Sequence, residues 1–137
     1  MTYRFLPHTA DVIVQIEAAS LANVFRDAMA VVRLLVAGDT TVTTAQSHAV
    51  SLTAQAADEL LLRFIRELLT QFQLDTFVPG ELEIRELDPM RFEGAVMGEP
   101  FDDAKHDAQP EVKAVTRHGL SVEETSAGWR AVLVLDL

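Results

Sequence analysis

Two aspartates near the ends of the sequence, Asp11 and Asp136, are placed where they could share a cation. Asp11 opens a segment with the two-residue alternation of a β-strand, and Asp136 nearly closes another. If these strands pair antiparallel, the two carboxylates become neighbours and need a cation, a shared proton or a basic side chain between them. Calcium and magnesium bind such oxygen ligands, and Leu137 would add a terminal carboxylate. The alternative is that both aspartates lie in solvent at strand ends, as Asp ordinarily does.

Two histidines lie near acidic residues and receive different interpretations. His8 precedes Asp11 by three residues, so it could bind the same metal, or its ring N–H could cap a turn. His106 lies between Lys105 and Asp107 in a polar stretch, and we expect it to be a solvated loop residue. His8 is therefore a weaker candidate for the metal site.

Lys113 is a charged residue within an apolar segment that is predicted to form a strand. Burying its ammonium group without a partner would be costly, so it must reach solvent or pair with an acid such as Glu99 or Asp102. Its functional interpretation is a point charge for a phosphate or for a carboxylate on a partner. His118, five residues later, would lie on the opposite face of a regular strand, so the two need not form a catalytic pair. Glu99 and His118 are weaker candidate site residues.

The composition excludes several classes of function. Eleven basic and 21 acidic side chains give a net charge of −10, which repels a phosphate backbone and favours a cation or a basic protein as the partner. There is no cysteine, so disulfides, thiolate zinc sites and cysteine nucleophiles are excluded. No glycine-rich phosphate loop, nucleophile elbow or paired-histidine zinc helix occurs. With neither a signal-like nor a membrane-length apolar run, the expected location is the cytoplasm.

Apolar periodicity predicts the elements that must position these residues. One helix should begin after an N-cap at Ser20 and end at Gly38, and a second should begin near Ala56. A hairpin is predicted on either side of Asp88-Pro89, followed by a long polar loop over 98–110. Further strands are predicted by two-residue alternation in these stretches: 11–17, 50–52, 112–122 and 129–137.

The last of these strands carries apolar residues on both faces, which predicts a central strand covered on both sides. The order of elements predicts an α+β fold in which two helices pack on a mixed or antiparallel sheet. A length of 137 residues with 49% hydrophobic side chains suits one core, so we expect a single domain over 1–137. The sequence leaves the oligomeric state open.

Several segments, in order along the chain, resemble the archease family. The segments that carry the resemblance are His8-Thr9-Ala10-Asp11, Gly98-Glu99-Pro100-Phe101-Asp102, Val112-Lys113-Ala114-Val115-Thr116 with His118, and Asp136-Leu137. The chain departs from the family pattern at Arg117, where an aromatic residue is usual, at Phe64-Ile65-Arg66, which replaces a tryptophan-containing stretch, and at Leu137, where isoleucine is common. The departures affect the expected partner surface more than the fold.

The resemblance implies an accessory protein and not an enzyme. Archeases assist RtcB-type RNA ligases, which join RNA ends in tRNA splicing and RNA repair using GTP and manganese, by promoting their guanylylation and multiple turnover. It further implies a divalent metal, with calcium preferred and magnesium or manganese as alternatives, on Asp11, Asp136 and Leu137, and an important lysine at Lys113. The family is also described as a chaperone-like modulator of tRNA modification enzymes such as methyltransferases. A metal-dependent hydrolase and a general protein-interaction module are the remaining alternatives.

Overall fold

Two helices and two antiparallel sheets form the fold in a computed structural model, which describes residues 2–6, 11–107, 112 and 114–136. The elements, in chain order, are β1 (Thr2–Leu6), β2 (Asp11–Ala18), α1 (Leu21–Ala37), β3 (Gln46–Thr53), α2 (Ala57–Asp75), β4 (Phe77–Asp88), β5 (Arg91–Pro100), β6 (Ala114–Thr125) and β7 (Gly128–Asp136). The predicted α+β class with two helices is confirmed. The strands form two sheets where the sequence suggested one, in the orders β1-β2-β7-β6 and β3-β5-β4.

Helix α1 begins and ends at the predicted limits, and α2 begins where it was predicted to begin. The Ser20 hydroxyl oxygen accepts a hydrogen bond from the backbone N–H of Asn23 at 3.2 Å, which satisfies one of the free donors of the first turn of α1. The Gly38 N–H donates to the Leu34 carbonyl at 3.0 Å and ends the helix. Helix α2 begins after Ala56, which offers no side-chain cap, and ends at Thr76 in the left-handed conformation with φ 53°.

The helices pack against the inner faces of both sheets. Helix α1 contacts β2 and β7 of the four-stranded sheet and β4 of the other, and α2 contacts β6 together with β3, β4 and β5. The rings of Phe25, Phe64 and Phe92 meet in the core with centroid separations of 5.0–5.8 Å. Within the described residues, no helix is long and apolar enough to cross a membrane.

Strand β7 is an interior strand, as predicted, but its two faces are not covered alike. Ala131, Leu133 and Leu135 on the inner face are fully buried. The outer face alternates with them and carries Val134, which is 8% exposed, and Asp136, which is exposed. The covering of Val134 comes from a bulge in neighbouring β6, where Gly119 approaches so closely that an added Cβ would lie 3.0 Å from Cγ2 of Val134. The prediction of full cover on both sides is therefore wrong for the outer face.

The predicted hairpin around Asp88-Pro89 is confirmed as β4 and β5. The expected start of the following loop at residue 98 is wrong, because β5 continues to Pro100 and still pairs Glu99 with Val78. The charge of Glu99 made the stretch from residue 98 look like part of the polar loop. In the fold, partners from neighbouring segments satisfy that charge, so the strand can continue through it.

Candidate functional site

The carboxyl end of β7 and the beginning of β2 bring Asp11 and Asp136 together. They are direct partners in the antiparallel register, so the prediction that they lie side by side is confirmed for the backbone. On the other side of β7, Asp136 is the register partner of Ala114, the first residue of β6. Three strands therefore meet at this corner, which we call the carboxylate corner (Asp11, Ala114 and Asp136).

The carboxylate corner lies on the outer face of its sheet, away from the helices. Asp11 is half-buried, while Asp136 and Ala114 are exposed. The adjacent row on the same face is partly apolar, with Ile13 and Thr116 both opposite Val134. A partner could therefore approach the two carboxylates from solvent and contact apolar surface beside them.

The donor chemistry of this corner fits a hard divalent cation, since both side chains offer carboxylate oxygens. Asp11 and Asp136 would supply two ligands, and calcium or magnesium requires more oxygen atoms than that. Among the residues the structure describes, no group of three or more His, Asp or Glu side chains is arranged to hold a metal. The other proposed ligands, Leu137 and His8, lie outside the described residues.

Lys113 also lies outside the described residues, but the residues on either side of it are placed. Val112 is 5% exposed, and its carbonyl accepts a hydrogen bond from Nε2 of Gln73 on α2 at 3.5 Å. Ala114 begins β6 opposite Asp136. Val112 is thus held by α2, and Ala114 by β7.

His118 lies in a bulge of β6. Between Thr116 and Ser121 the pairing with β7 slips, so regular alternation does not hold across this part of the strand. Lys113 lies outside the described residues, so the opposite-face prediction for Lys113 and His118 stays a prediction. His118 is exposed in the bulge, and its backbone N–H donates to Oγ1 of Thr116 at 3.1 Å.

Arg117, which departs from the family pattern, ties the bulge to the first turn of α2. Its guanidinium donates to both carboxylate oxygens of Glu59, with Nη2 at 2.9 Å from Oε1. Arg63, one turn along the helix, pairs with the same carboxylate at 3.3 Å. The hydrogen bonds from Arg117 hold the pKa of Glu59 at about 2. Partial burial raises this pKa, and the hydrogen bond from Arg63 lowers it as Arg117 does. An aromatic residue at position 117 could not make this connection.

A second polar cluster, which the sequence did not predict, lies at the end of β5. Glu99 is 7% exposed and His106 is 2% exposed, so the expectation that His106 is solvated is wrong. Oε1 of Glu99 accepts from the backbone N–H of Thr43 at 2.7 Å and from Nζ of Lys105 at 2.8 Å. Oε2 lies 2.7 Å from Nε2 of His106, although the ring N–H is not aligned with that oxygen. We call this group the Glu99 cluster (Thr43, Glu99, Lys105 and His106).

Glu99 is ionised in the folded protein. Burial raises the pKa of its carboxyl group. The hydrogen bonds from Lys105 and from Thr43 lower the pKa by more than burial raises it, and the result is about 2. Nδ1 of His106 accepts from the backbone N–H of Asp102 at 2.9 Å, so the ring proton is assigned to Nε2, on the side of Glu99. Both oxygens of Glu99 thus have near partners among the described residues.

The sequence contained a usable signal for the Glu99 cluster. An acid at the end of a strand is followed within one short polar stretch by a lysine and a histidine. A loop that turns back on itself would bring these side chains to the acid. Taken singly, each charged loop residue is expected to be exposed to solvent, so the signal lies only in their combination.

Of three relatives among known proteins, two match nearly the whole chain, and the third matches about two thirds of it. It is 28% identical to protein archease of Methanosarcina mazei, covering 98% of this chain and 95% of that one. It is 29% identical to protein archease of Saccharolobus solfataricus, with 98% of both chains covered. With protein archease of Methanopyrus kandleri it shares 33% identity over 64% of this chain and 66% of that one.

Solved structures give the same result for the fold. The solution structure of protein 1598 of Methanobacterium thermoautotrophicum matches with a TM-score of 0.80 at 27% identity, covering 98% of both chains. An archease from Thermotoga maritima, described as a possible chaperone, matches with a TM-score of 0.68 at 16% identity, over 96% of this chain and 94% of that one. The model of the Archease protein family matches residues 3–137. With the family match spanning nearly every residue and the fold shared with its solved relatives, the chain belongs to the archease family.

Proposed function

We propose that this archease is an accessory protein of an RtcB-type RNA ligase, promoting guanylylation and turnover of the ligase in tRNA splicing or RNA repair. The single observation that carries the proposal is the carboxylate corner, where Asp11, Asp136 and Ala114 are partners across three strands. Lys113 directly precedes Ala114 in the sequence. Residues from both ends of the chain are thus available to one partner at one exposed corner.

The side chains of this corner would act by charge. Asp11 and Asp136 would hold a divalent cation, which would neutralise their mutual repulsion and offer a positive contact to an oxygen atom of the ligase or its nucleotide. Lys113 would supply a point charge for a nucleotide phosphate or for a carboxylate of the ligase. The ligase carries out the bond-forming chemistry, and this protein aids the step in which GMP is transferred to the ligase.

The overall charge supports a protein partner over an RNA partner. A net charge of −10 repels the phosphate backbone, so direct gripping of RNA is not expected. A small acidic protein can instead be steered towards a basic surface of a ligase that itself binds RNA. Raising the salt concentration should therefore slow association with the ligase.

The proposal is tested by measuring guanylylation of a purified RtcB-type ligase with GTP and manganese, with and without this protein. Wild-type protein should stimulate the reaction, and both Asp11→Asn and Asp136→Asn should lose most of that stimulation. Asp103→Asn, which removes the same charge from an exposed loop, is the matched control and should stimulate as the wild type does. A wild-type protein that does not stimulate the ligase would refute the proposal. Equal stimulation by all variants would show that the two carboxylates are not needed for activation.

A second candidate is a chaperone-like modulator of tRNA modification enzymes such as methyltransferases, which is favoured by the description of the Thermotoga maritima protein as a possible chaperone. The two candidates differ in what they require. A chaperone-like role should suppress aggregation of the modification enzyme or sharpen its choice of site, and it should survive Asp11→Asn. Measuring both activities with the same variants separates the two functions. Breakdown of RNA by the protein alone, without the ligase, would instead support the hydrolase alternative.

A further inference from the structure

Strand β1 forms one edge of the four-stranded sheet, and it pairs with β2 on one side only. In an antiparallel edge strand, the backbone N–H and C=O groups of alternate residues point away from the neighbouring strand. Within the described part of the chain, no group bonds to this outer side of β1. A row of backbone hydrogen-bonding groups is therefore open to an added strand.

The other sheet edges carry features that hinder the addition of a strand. Strand β6, at the opposite edge of the same sheet, is bulged. Strand β4 has two register shifts, and the Arg33 guanidinium donates to its Gly80 carbonyl at 2.8 Å. At the end of β3, the Thr53 carbonyl accepts from Nη1 of Arg63 at 3.0 Å. Strand β1 instead pairs with β2 in an unbroken register, so it lacks the bulges that commonly protect an edge.

Two aromatic side chains are exposed on the inner face of β1. Tyr3 and Phe5 are the register partners of Ile16 and Val14, which are fully buried. Tyr3 is nonetheless 37% exposed and Phe5 44% exposed, and their rings meet edge to face at 6.0 Å. Such an apolar pair beside an unpaired edge would be covered by the side chains of an added strand.

An open cavity between β1 and α1 extends this apolar surface. It is lined by Tyr3, by Ala30, Arg33 and Leu34 of α1, and by the residues after that helix, including Asp39. Ala30 and Leu34 are half-buried. Because side chains alternate along a strand, a strand added to β1 would place every second side chain on this inner, apolar side.

The basic side chains around this edge are bonded to neutral groups. Arg4, on the outer face of β1, donates to Oε1 of Gln15 from Nε at 3.0 Å and from Nη2 at 2.7 Å. Arg33 donates to backbone carbonyls of β4. Six basic side chains elsewhere pair with glutamates: Arg63, Arg85, Arg91, Lys105, Arg117 and Arg130. In a chain with a net charge of −10, the uncompensated charge of Arg4 favours an acidic ligand on the outer face.

We propose that the outer edge of β1 binds an extended acidic segment of a protein partner by strand addition. Backbone hydrogen bonds to β1 would hold the segment, apolar side chains would cover Tyr3 and Phe5, and acidic side chains at the alternate positions would face Arg4. A second copy of this chain fits less well, because two β1 strands paired antiparallel about their middle residue would place Arg4 opposite Arg4. The inference does not depend on the proposed ligase function.

The test uses two synthetic peptides, acetyl-Val-Glu-Val-Glu-Val-amide and its counterpart with lysine in place of glutamate. Binding is followed by the amide NMR signals of the full chain, without an added tag at its amino end, because a tag would lie next to β1. Arg4→Glu reverses the charge at the edge, and Phe5→Ser removes apolar surface. Met90→Ser, which removes an exposed hydrophobic side chain from the turn between β4 and β5, is the matched control.

We expect the glutamate peptide to bind saturably, to shift the amide signals of β1 and to slow their hydrogen exchange. The lysine peptide should bind about tenfold more weakly, which is the effect of losing one charge-assisted hydrogen bond. Arg4→Glu should reverse the preference between the two peptides. Phe5→Ser should weaken binding of both peptides by about tenfold, because less apolar surface is buried. Met90→Ser should bind as the wild type does.

Several results would overturn the inference. Neither peptide binding, both binding with equal affinity, or signal shifts confined to residues away from β1 would each contradict an acidic ligand at this edge. Self-association of the wild type in analytical ultracentrifugation, lost in Phe5→Ser and retained in Met90→Ser, would assign the edge to a second copy instead. If Phe5→Ser does not fold, the exchange of peptide preference in Arg4→Glu still decides the question, and an unchanged preference in that variant would refute the proposal.

Discussion

Individual residues in this protein gain their properties from partners distant in the sequence. Glu99 is a strand residue whose charge is held by Thr43 from one loop and by Lys105 and His106 from another. Arg117 and Glu59 form a similar link between a bulge and a helix. In both cases the pKa of the acid is held at about 2, by side chains that only the fold brings near.

The depressed pKa of Glu99 predicts a specific acid sensitivity. Its ordinary value is 4.5, and its folded value is about 2. The stability that its charge contributes is fully present above pH 4.5 and is lost as the pH falls through about 2. The free energy of unfolding, measured by urea titration at several pH values, should therefore fall less steeply over this range in Glu99→Gln than in wild type. Parallel curves would contradict the prediction.

Lys113 should contribute to ligase activation without contributing to the fold. Lys113→Ala should remove a charge-assisted contact worth roughly 1.5–3 kcal/mol, measured as loss of stimulated guanylylation. The variant should melt at the same temperature as wild type. Equal stimulation by both proteins would contradict a functional role, and a variant that fails to fold would favour a structural salt bridge.

At the level of the elements, caps and bulges decide where helices and strands begin, end and deviate. Ser20 caps α1 with its side chain, whereas Ala56 at the corresponding position of α2 has none to offer. The bulge in β6 depends on Gly119, whose φ of 83° lies in the region that favours glycine. Each of these features can be tested by a single substitution.

Removing the N-cap of α1 should destabilise the protein. In Ser20→Ala the Asn23 N–H loses its hydrogen-bond partner, which should lower the free energy of unfolding by about 0.5–2 kcal/mol. Ser126→Ala in the exposed turn before β7 is the matched control and should change stability by less than about 0.5 kcal/mol. The measurement is chemical denaturation of both variants, and equal losses would contradict the role of the cap.

Adding a side chain at Gly119 should disturb the bulge that covers Val134. In Gly119→Ala, a residue with a Cβ must adopt a φ of 83°, and that Cβ would lie 3.0 Å from Cγ2 of Val134. We therefore expect the free energy of unfolding to fall by about 1–3 kcal/mol. The melting temperature and the amide exchange of β6 should report it. Stability equal to wild type would show that the bulge adapts to the methyl group.

At the scale of the whole molecule, the antiparallel pairing brings Asp11 at the start of β2 and Asp136 at the end of β7 to one corner. Strands β2 and β7 pair along their full lengths, from Asp11 with Asp136 to Ala18 with Trp129. Any ligand that bridges the two aspartates would therefore hold together strands from opposite ends of the sequence. Such a ligand should stabilise the folded state, because it has no equivalent site in the unfolded chain.

Calcium or magnesium should raise the melting temperature in a manner that depends on the carboxylate corner. At a concentration of about 100 times the Kd, a cation that binds only the folded state contributes roughly 2.7 kcal/mol. Asp11→Asn should abolish the increase, while Asp103→Asn, on an exposed loop, should retain it. A melting temperature that stays constant across a chelator titration of wild-type protein would contradict a formed site.

The sequence by itself determined the local elements and one long-range relation. Ser20 and Gly38 mark the ends of α1 because capping depends on neighbouring backbone groups, and alternation marks β2 and β7 because a strand has a fixed period. That alternation, together with an assumed antiparallel pairing, predicted that Asp11 and Asp136 lie side by side. Tertiary structure alone decided that the strands form two sheets, that β6 bulges at Gly119, and that His106 turns inward to Glu99. These features depend on contacts between residues far apart in the chain, and local periodicity carries no information about which distant segment a strand edge or a loop will meet.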